Sequence, residues 1–371
     1  MRLLDISYKH NPLHRDRASF AAFRERYLGY LRHWSQRHEV VHVECGDWQD
    51  GWQDGSLRQI ILRKKPGVFW WPSALHRRLK REPFDAILVH GMRSPLQLLA
   101  LRLAFSGPRR PKIAVLHHAE QPSAGAKAWL QTLADRWAVD HYFFAATENA
   151  QAWLARGTIE HPAKIHEVME ISSHFQAKDR DQCRLELGLP VGEKIALWVG
   201  RLHPVKDPLT VVRGFGEFLK TGGQARLYMI FQENDLLPDV QRLLSANPQL
   251  AEHTVLIGKI PHPVLETWFS AADVFVLGSR YEGSGTALAE AIGCGCWPVV
   301  SDIAAFRSIT GRGAAGSLFE PGNAPDFARA LAATFARNED RRGAVRRFFE
   351  ENLSWQAIAE RMLSVLKADK I

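Results

Sequence analysis

Two glycine-punctuated stretches in the second half of this 371-residue chain combine the residue types that hold a phosphate. The first, Val199-Gly-Arg-Leu-His-Pro-Val-Lys-Asp-Pro208, follows an apolar run. Gly200 is expected to permit a tight turn, with Arg201 and Lys206 converging on one anion. An arginine offers a planar fork and a lysine a point charge. The second, Ser279-Arg-Tyr-Glu-Gly-Ser-Gly-Thr-Ala-Leu-Ala-Glu-Ala-Ile-Gly293, runs into a helix. Gly283 and Gly285 let backbone N–H groups approach a ligand, and a helix N-terminus favours an anion. Glu290 lies eight residues beyond Glu282, roughly 12 Å along a helix axis. A nucleotide diphosphate separates its sugar from its ribose by a similar span. One carboxylate would hold sugar hydroxyls and the other ribose hydroxyls, with the phosphates at the helix end between them.

Other combinations carry less. Asp179-Arg-Asp181 matches a D-x-D metal motif, but it precedes a helix instead of following a strand, so it reads as a capping and solvated pair. Cys294 and Cys296 are one residue apart, without companions at zinc spacing. No H-E-x-x-H, phosphate-loop or nucleophile-elbow motif occurs. No metal site and no resident cofactor are expected.

The elements that must position these residues alternate along the chain. Short apolar strands are predicted at Leu3–Ser7, Glu39–Glu44, Ala86–His90, Ile113–His117 and Tyr142–Thr147. A second series comprises Lys194–Val199, Arg226–Phe231, Thr254–Ile257, Val274–Leu277 and Trp297–Val300. Helical patterns separate them: Arg17–Arg37, Ser94–Phe105, Ala126–Trp137, Pro208–Leu219, Pro238–Ser245 and Pro263–Ala271, with Ser354–Lys370 at the end. Such alternation predicts an α/β chain of parallel sheets with right-handed crossovers. The polar stretch Ser172–Asp181 marks a boundary between two doubly wound domains facing each other across a cleft. Ligands bind such sheets beyond the carboxyl ends of the strands.

The second patch resembles the E-x7-E signature of the retaining glycosyltransferases of family 4 (glycosyltransferase group 1), which have the GT-B fold of two Rossmann-like domains. Val199–Asp207 resembles that family's Gly-Arg…Lys loop, Leu256–Pro261 its base-binding turn, Glu290–Val300 its helix end and next strand, and Phe319–Gly322 a later loop. The resemblance implies an acceptor-binding domain over 1–170, a nucleotide-sugar-binding domain over 171–352, and a helix over 353–371 that crosses back to the first. It implies that Arg201 and Lys206 bind the donor diphosphate, Glu282 the donor sugar and Glu290 the ribose. Gly283, Ser284, Gly285 and Thr286 would hold phosphate and sugar through backbone N–H groups, and backbone near Lys259 and Ile260 would face the base. Lys112-Ile-Ala-Val-Leu-His-His118 resembles the family's strand ending in a histidine near the reacting sugar; His117 aligns best and His118 is adjacent. Three segments depart from the family: Asp5–Pro12 where relatives carry a glycine-rich loop, Ile230–Asp235 where they have a Gly-x-Gly turn, and Glu170–Ser173. The implied activity is retaining, metal-independent transfer from a nucleoside-diphosphate sugar, UDP- or GDP-linked, to a sugar or lipid-linked acceptor in cell-envelope or exopolysaccharide synthesis. A sugar-nucleotide epimerase, a phosphorylase or a catalytically silent nucleotide-sugar binder remains the alternative.

Charge is unevenly shared. Residues 1–170 hold 25 basic and 17 acidic side chains, which accounts for the whole net charge of +8. The densest basic stretch, 63–81, sets Arg63, Lys64 and Lys65 before Phe69, Trp70 and Trp71, and Arg77, Arg78, Lys80 and Arg81 after them. Ser73 is expected to cap a short helix over Ala74–Arg81. Aromatic rings flanked by cations suit an anionic membrane surface; the alternative is a basic solvated face over core aromatics. Nucleic-acid-binding signatures are missing. Four cysteines and no long apolar run lead to a cytoplasmic expectation, peripheral on the inner face of the plasma membrane.

Overall fold

A computed structural model describes residues 1–12, 15–64, 72–283, 285–337 and 341–368. Lys65, Phe69, Trp70, Trp71 and Ser284, all singled out above, lie outside the described residues. The chain divides into two compact units, Met1–Glu170 with Trp355–Ile371, and Ile171–Ser354.

The first unit is built on eight strands: β1 (Arg2–His10), β2 (Glu39–Gly46), β3 (Asp50–Asp54), β4 (Leu57–Arg63), β5 (Ala86–His90), β6 (Lys112–Leu116), β7 (His141–Phe144) and β8 (Ile165–Glu167). Their order across the sheet is β3-β4-β2-β1-β5-β6-β7-β8. All pairings are parallel except β3 with β4. A parallel sheet covered on both faces needs strands that are apolar throughout. Leu4, Ile6, Val41, Val43, Ile87, Val89, Ile113 and Val115 supply that core, with Leu98, Leu101 and Trp153 packed on it. The β3–β4 hairpin, turning at Gly55-Ser56, escaped the sequence reading although a Gly-Ser pair signals such a turn. The expected single helix over Arg17–Arg37 is two, Arg17–Tyr27 and Gly29–Ser35, broken at Leu28. Gly29, the first residue of the second helix, leaves room for a long-range contact: a Cβ there would lie 2.4 Å from the ring of Trp355. The C-terminal helix Trp355–Lys367 packs there, and Trp34 Nε1 donates to the Ala359 carbonyl (3.0 Å). Ser73 does not cap; it is the first residue of the helix Ser73–Leu79, whose N-cap position holds Pro72.

The second unit carries β9 (Ile195–Gly200), β10 (Arg226–Phe231), β11 (Thr254–Gly258), β12 (Val274–Leu277), β13 (Trp297–Ser301) and β14 (Ser317–Phe319). They are all parallel, in the order β11-β10-β9-β12-β13-β14. The order reverses between β9 and β12, as it does in the first sheet between β1 and β5. A doubly wound sheet opens a crevice at such a point, beyond the strand ends. The loops that follow β9 and β12 are those carrying the phosphate-type residues.

Candidate functional site

In the second unit, both loops are tied to one another. After β9 the chain makes a short turn, and Asp207 adopts a left-handed conformation (φ 42°, ψ 56°) as N-cap of the helix Pro208–Lys220. A non-glycine residue there costs of order 1 kcal/mol. Its carboxylate offsets that cost by accepting from the Thr210 N–H (3.3 Å) and hydroxyl (2.9 Å), and from Arg280 on the other loop (3.0 Å from Nε). The Arg280 N–H also donates to the Val205 carbonyl (2.8 Å). Asp207 and Arg280 were missed from sequence as the clamp joining the loops; an aspartate before a proline at a helix start was the available signal.

The clamp brings Lys206 to Glu282, with Nζ 2.5 Å from Oε1. The Ser279 hydroxyl donates to the same oxygen at 2.6 Å. Both partners are largely buried, their side chains 17% and 8% exposed. Arg201 does not join them. Its guanidinium is half-exposed and sits 3.6 Å from Glu233, within the segment where the sequence departs from the family. Each expected phosphate cation therefore has its own carboxylate. Gly200 is not in a left-handed turn; it ends β9, and a Cβ there would lie 3.1 Å from the Trp198 ring.

The helix expected to receive phosphate spans Thr286–Gly293, capped by Gly285 at φ 68°. Any side chain there is strained by that φ and meets Ile309 at 2.7 Å. Since helix begins only at Thr286, Glu282 and Gly283 precede it, and the estimate of 12 Å along one axis does not apply to the whole Glu282–Glu290 segment. Glu290 is buried, and its Oε1 lies 2.8 Å from His262 Nε2. His262 follows directly on the turn containing the exposed Lys259 and the half-buried Ile260; its contact with Glu290 was not anticipated.

The first unit separates the two adjacent histidines. His117 is buried, stacked on Phe144 (4.6 Å between ring centroids), with Nε2 2.9 Å from the Glu120 carbonyl. Burial, only partly opposed by Glu120, lowers its basicity. The His118 side chain is 41% exposed, and its Nδ1 lies 2.5 Å from Glu170 Oε2. Of the basic stretch, Arg63 donates to the Asp47 carbonyl and Lys64 to that of Tyr8. Arg77, Arg78, Lys80 and Arg81 are exposed, while Leu75 and Leu79 of the same segment enter the core.

Asp179 caps the helix Arg180–Glu186 and Asp181 pairs with Arg180. Cys294 and Cys296 are buried free thiols, and burial pushes Cys294 up to about 12. Among the described residues no group of three or more His, Cys, Asp or Glu side chains is arranged to hold a metal, and no helix is long and apolar enough to cross a membrane.

Residues 179–349 match the family model described as Glycosyl transferases group 1. A D-inositol 3-phosphate glycosyltransferase of Thermomonospora curvata is 26% identical over 314 residues, covering 81% of this chain and 70% of the relative. Among solved structures, Anabaena HepE in complex with UDP superposes with a TM-score of 0.68 at 13% identity, covering 99% of each chain. A sucrose-phosphate synthase from Thermosynechococcus elongatus gives 0.65 at 16% identity, covering 98% of each. The fold of the chain is GT-B.

Proposed function

We propose that the chain is a sugar-transferring enzyme of the group 1 glycosyltransferases, whose family model residues 179–349 match, and that it moves a hexosyl group from a nucleoside-diphosphate sugar to an acceptor hydroxyl, with retention at the anomeric carbon. The observation that carries the reading is the buried Lys206–Glu282 contact at the reversal point of the second sheet, beside the helix that bears Glu290. An ammonium has three donors. The contact with Glu282 uses one, and phosphate oxygens of the donor take the others. Glu282 then holds a sugar hydroxyl and Glu290, oriented by His262, the ribose. Gly283, Ser284, Gly285 and Thr286 contribute N–H groups to the diphosphate, the turn at Lys259 and Ile260 meets the base, and Arg201 adds a second cation from the loop that Gly200 opens.

In the reaction, the bond from C1 to the diphosphate oxygen breaks as the bond from C1 to the acceptor oxygen forms on the same face. The acceptor proton passes to the departing phosphate oxygen. Negative charge grows on the diphosphate, where Lys206, Arg201 and the helix start are fixed positive ends. Preorganised charge of this kind supplies the largest share of many rate enhancements, and it takes the place of a metal ion. Of the histidine pair, His118 is the one placed to meet a ligand, since His117 is committed to packing.

UDP and GDP sugars are the first donors to test. The names of the relatives make a phosphorylated polyol the first acceptor beside lipid-linked sugars, in keeping with a role in envelope or exopolysaccharide synthesis. The exposed Arg77, Arg78, Lys80 and Arg81 suit an anionic bilayer, while Leu75 and Leu79 of the Ser73–Leu79 helix are buried and take no part in insertion. Sedimentation with anionic liposomes that salt abolishes tests that contact.

Thermal-shift screening against UDP-, GDP-, ADP- and dTDP-sugars identifies the donor, because a ligand bound only by the folded state raises its stability. Transfer is then assayed with a chelator present, and the anomeric coupling of the product is read by NMR. Conversion of donor without acceptor would reveal an epimerase, and dependence on inorganic phosphate a phosphorylase. Binding without turnover would reveal a silent binder.

A further inference from the structure

The reversal point of the first sheet holds a chain of hydrogen bonds that starts in the core and ends at the surface. Asp5, fully buried on β1, accepts from His42 Nδ1 (2.6 Å), from the Tyr30 hydroxyl (2.7 Å) and from His90 Nε2 (3.0 Å). His90 closes β5, and its Nδ1 lies 3.0 Å from His118 Nε2. The two imidazole planes are 11° from parallel with centroids 5.2 Å apart. His118 Nδ1 then meets Glu170 Oε2 at 2.5 Å. His90 is 8% exposed, whereas the His118 side chain is 41% exposed and forms the outer end.

Counting protons along this chain constrains its charge. Burial alone would raise Asp5, but His90 and His42 hold it well below the usual carboxylate range. It is therefore a carboxylate and only accepts. Three hydrogen bonds join Asp5, His90, His118 and Glu170, and each requires one proton. Two neutral imidazoles bring two. The third proton is extra. With Glu170 ionised it resides on the imidazole pair, one imidazolium between two carboxylates. Burial opposes a charge on His90, yet Asp5, Glu170 and Glu120 together raise its basicity above the ordinary value. Glu44 on β2, Glu120, His117, His42 and Tyr30 are the other titratable groups that face the pair. Loss of the extra proton leaves two protons for three contacts, so one contact must break and the pair becomes neutral.

We propose that His90 and His118 share one excess proton, held in place by Asp5 and Glu170, and that this cationic imidazole pair receives an anionic phosphate oxygen of the substrate on the first unit. His118 touches the ligand. Asp5 and His90 act through it and are positioning residues. The sugar-transfer reading enters only in naming the phosphate, a diphosphate or a phosphate monoester of a substrate.

The charge is tested on wild-type protein with isotope-labelled histidine and no added ligand. Ring-nitrogen shifts followed from pH 5 to 9 should show His90 and His118 titrating at one common midpoint, as a coupled pair. Asp5→Asn should lower that midpoint by about ten-fold in proton concentration, since it removes a flanking negative charge. Independent titrations, or two neutral rings throughout the range, overturn the proposal whether or not the Asp5 variant folds. The ligand is tested with UDP and with inositol 3-phosphate. One of them should bind about ten-fold more tightly at pH 6 than at pH 8, the scale of one charge-assisted hydrogen bond, and which one does so identifies the phosphate. His118→Gln should abolish that difference, whereas a side chain needed only for packing would weaken binding equally at both pH values. Equal affinity at both pH values for both probes refutes the ligand role. A failed titration leaves nucleotide binding in the second unit standing, and absent nucleotide binding leaves the proton count standing.

Discussion

The two sheets reverse their strand order at points of opposite character. At the second, the polar groups are ion pairs carried on loops: Lys206 with Glu282, Asp207 with Arg280, Arg201 with Glu233. At the first, they are imidazoles and carboxylates seated on the strands themselves, Asp5 on β1 and His90 on β5, with His118 and Glu170 just beyond β6 and β8. The loop arrangement supplies charges already paired and held in place beyond the strand ends. The strand arrangement supplies a rigid row of proton-sharing groups. One suits a diphosphate whose charge grows during reaction, and the other suits a contact whose strength depends on pH.

The largest expected effect breaks the second region. Lys206→Met removes the cation from a buried carboxylate and from the departing diphosphate together. Transfer should fall by about 10²–10³-fold, the scale of losing one preorganised charge contact. Single-turnover kinetics with saturating donor is the measurement. A rate within a few-fold of wild type would mean that the diphosphate is stabilised elsewhere.

The contrast also explains what was legible in the sequence. Lys206, Glu282 and Glu290 stand out because glycines and prolines surround them, and loop chemistry is written locally. Ten strands were recognisable from their apolar runs, several to the residue, as with Ala86–His90 and Val274–Leu277. Asp5 and His90 lie inside such runs, where a polar residue reads as an interruption. Their meaning comes only from parallel pairing, which sets Asp5 against His42 and Leu88 in neighbouring strands. The close approach of Trp355 to Gly29 was equally hidden, since the two lie more than 300 residues apart. Asp207 required knowing that its own helix cap and Arg280 meet at one carboxylate.

The next effect sharpens the first region. Burial raises Glu44 on β2 to about 7, against the smaller lowering by His42. A carboxyl whose folded pKa lies above its unfolded one stabilises the fold fully below the unfolded value, about 4.3, and that contribution is lost as pH rises to about 7. Glu44→Gln cannot ionise. Its stability relative to wild type should therefore rise by about 3 kcal/mol between pH 4.5 and pH 8, measured by denaturant unfolding at both. A constant difference would mean that Glu44 titrates in the folded protein as it does in the unfolded chain, and that burial does not hold its proton.

Smaller again is the cost of losing Glu290, which returns to the second region. Glu290→Ala removes a carboxylate held by His262 and should weaken nucleotide binding by about ten-fold, the scale of hydrogen bonds to a charged group. Calorimetric titration with the nucleoside diphosphate reads this directly. Unchanged affinity would move the ribose away from this helix and, with it, the base from the turn at Lys259.

The smallest effect concerns the exposed pair of the second region. The Arg201–Glu233 pair is half-exposed with its atoms 3.6 Å apart, so Glu233→Ala should change stability by only a few tenths of a kcal/mol. Its effect on ligand should be opposite in sign to that of Lys206→Met. Glu282 is buried with Lys206 and orients it, whereas Glu233 competes with phosphate for an exposed guanidinium. Removing Glu233 should strengthen nucleoside-diphosphate binding by about two-fold at low ionic strength, and the gain should vanish in high salt, where an exposed pair is screened. Weaker binding in the variant would make Glu233 a direct donor contact. The two carboxylates would then act alike, and the difference between the buried pair and the exposed one would lie in strength alone.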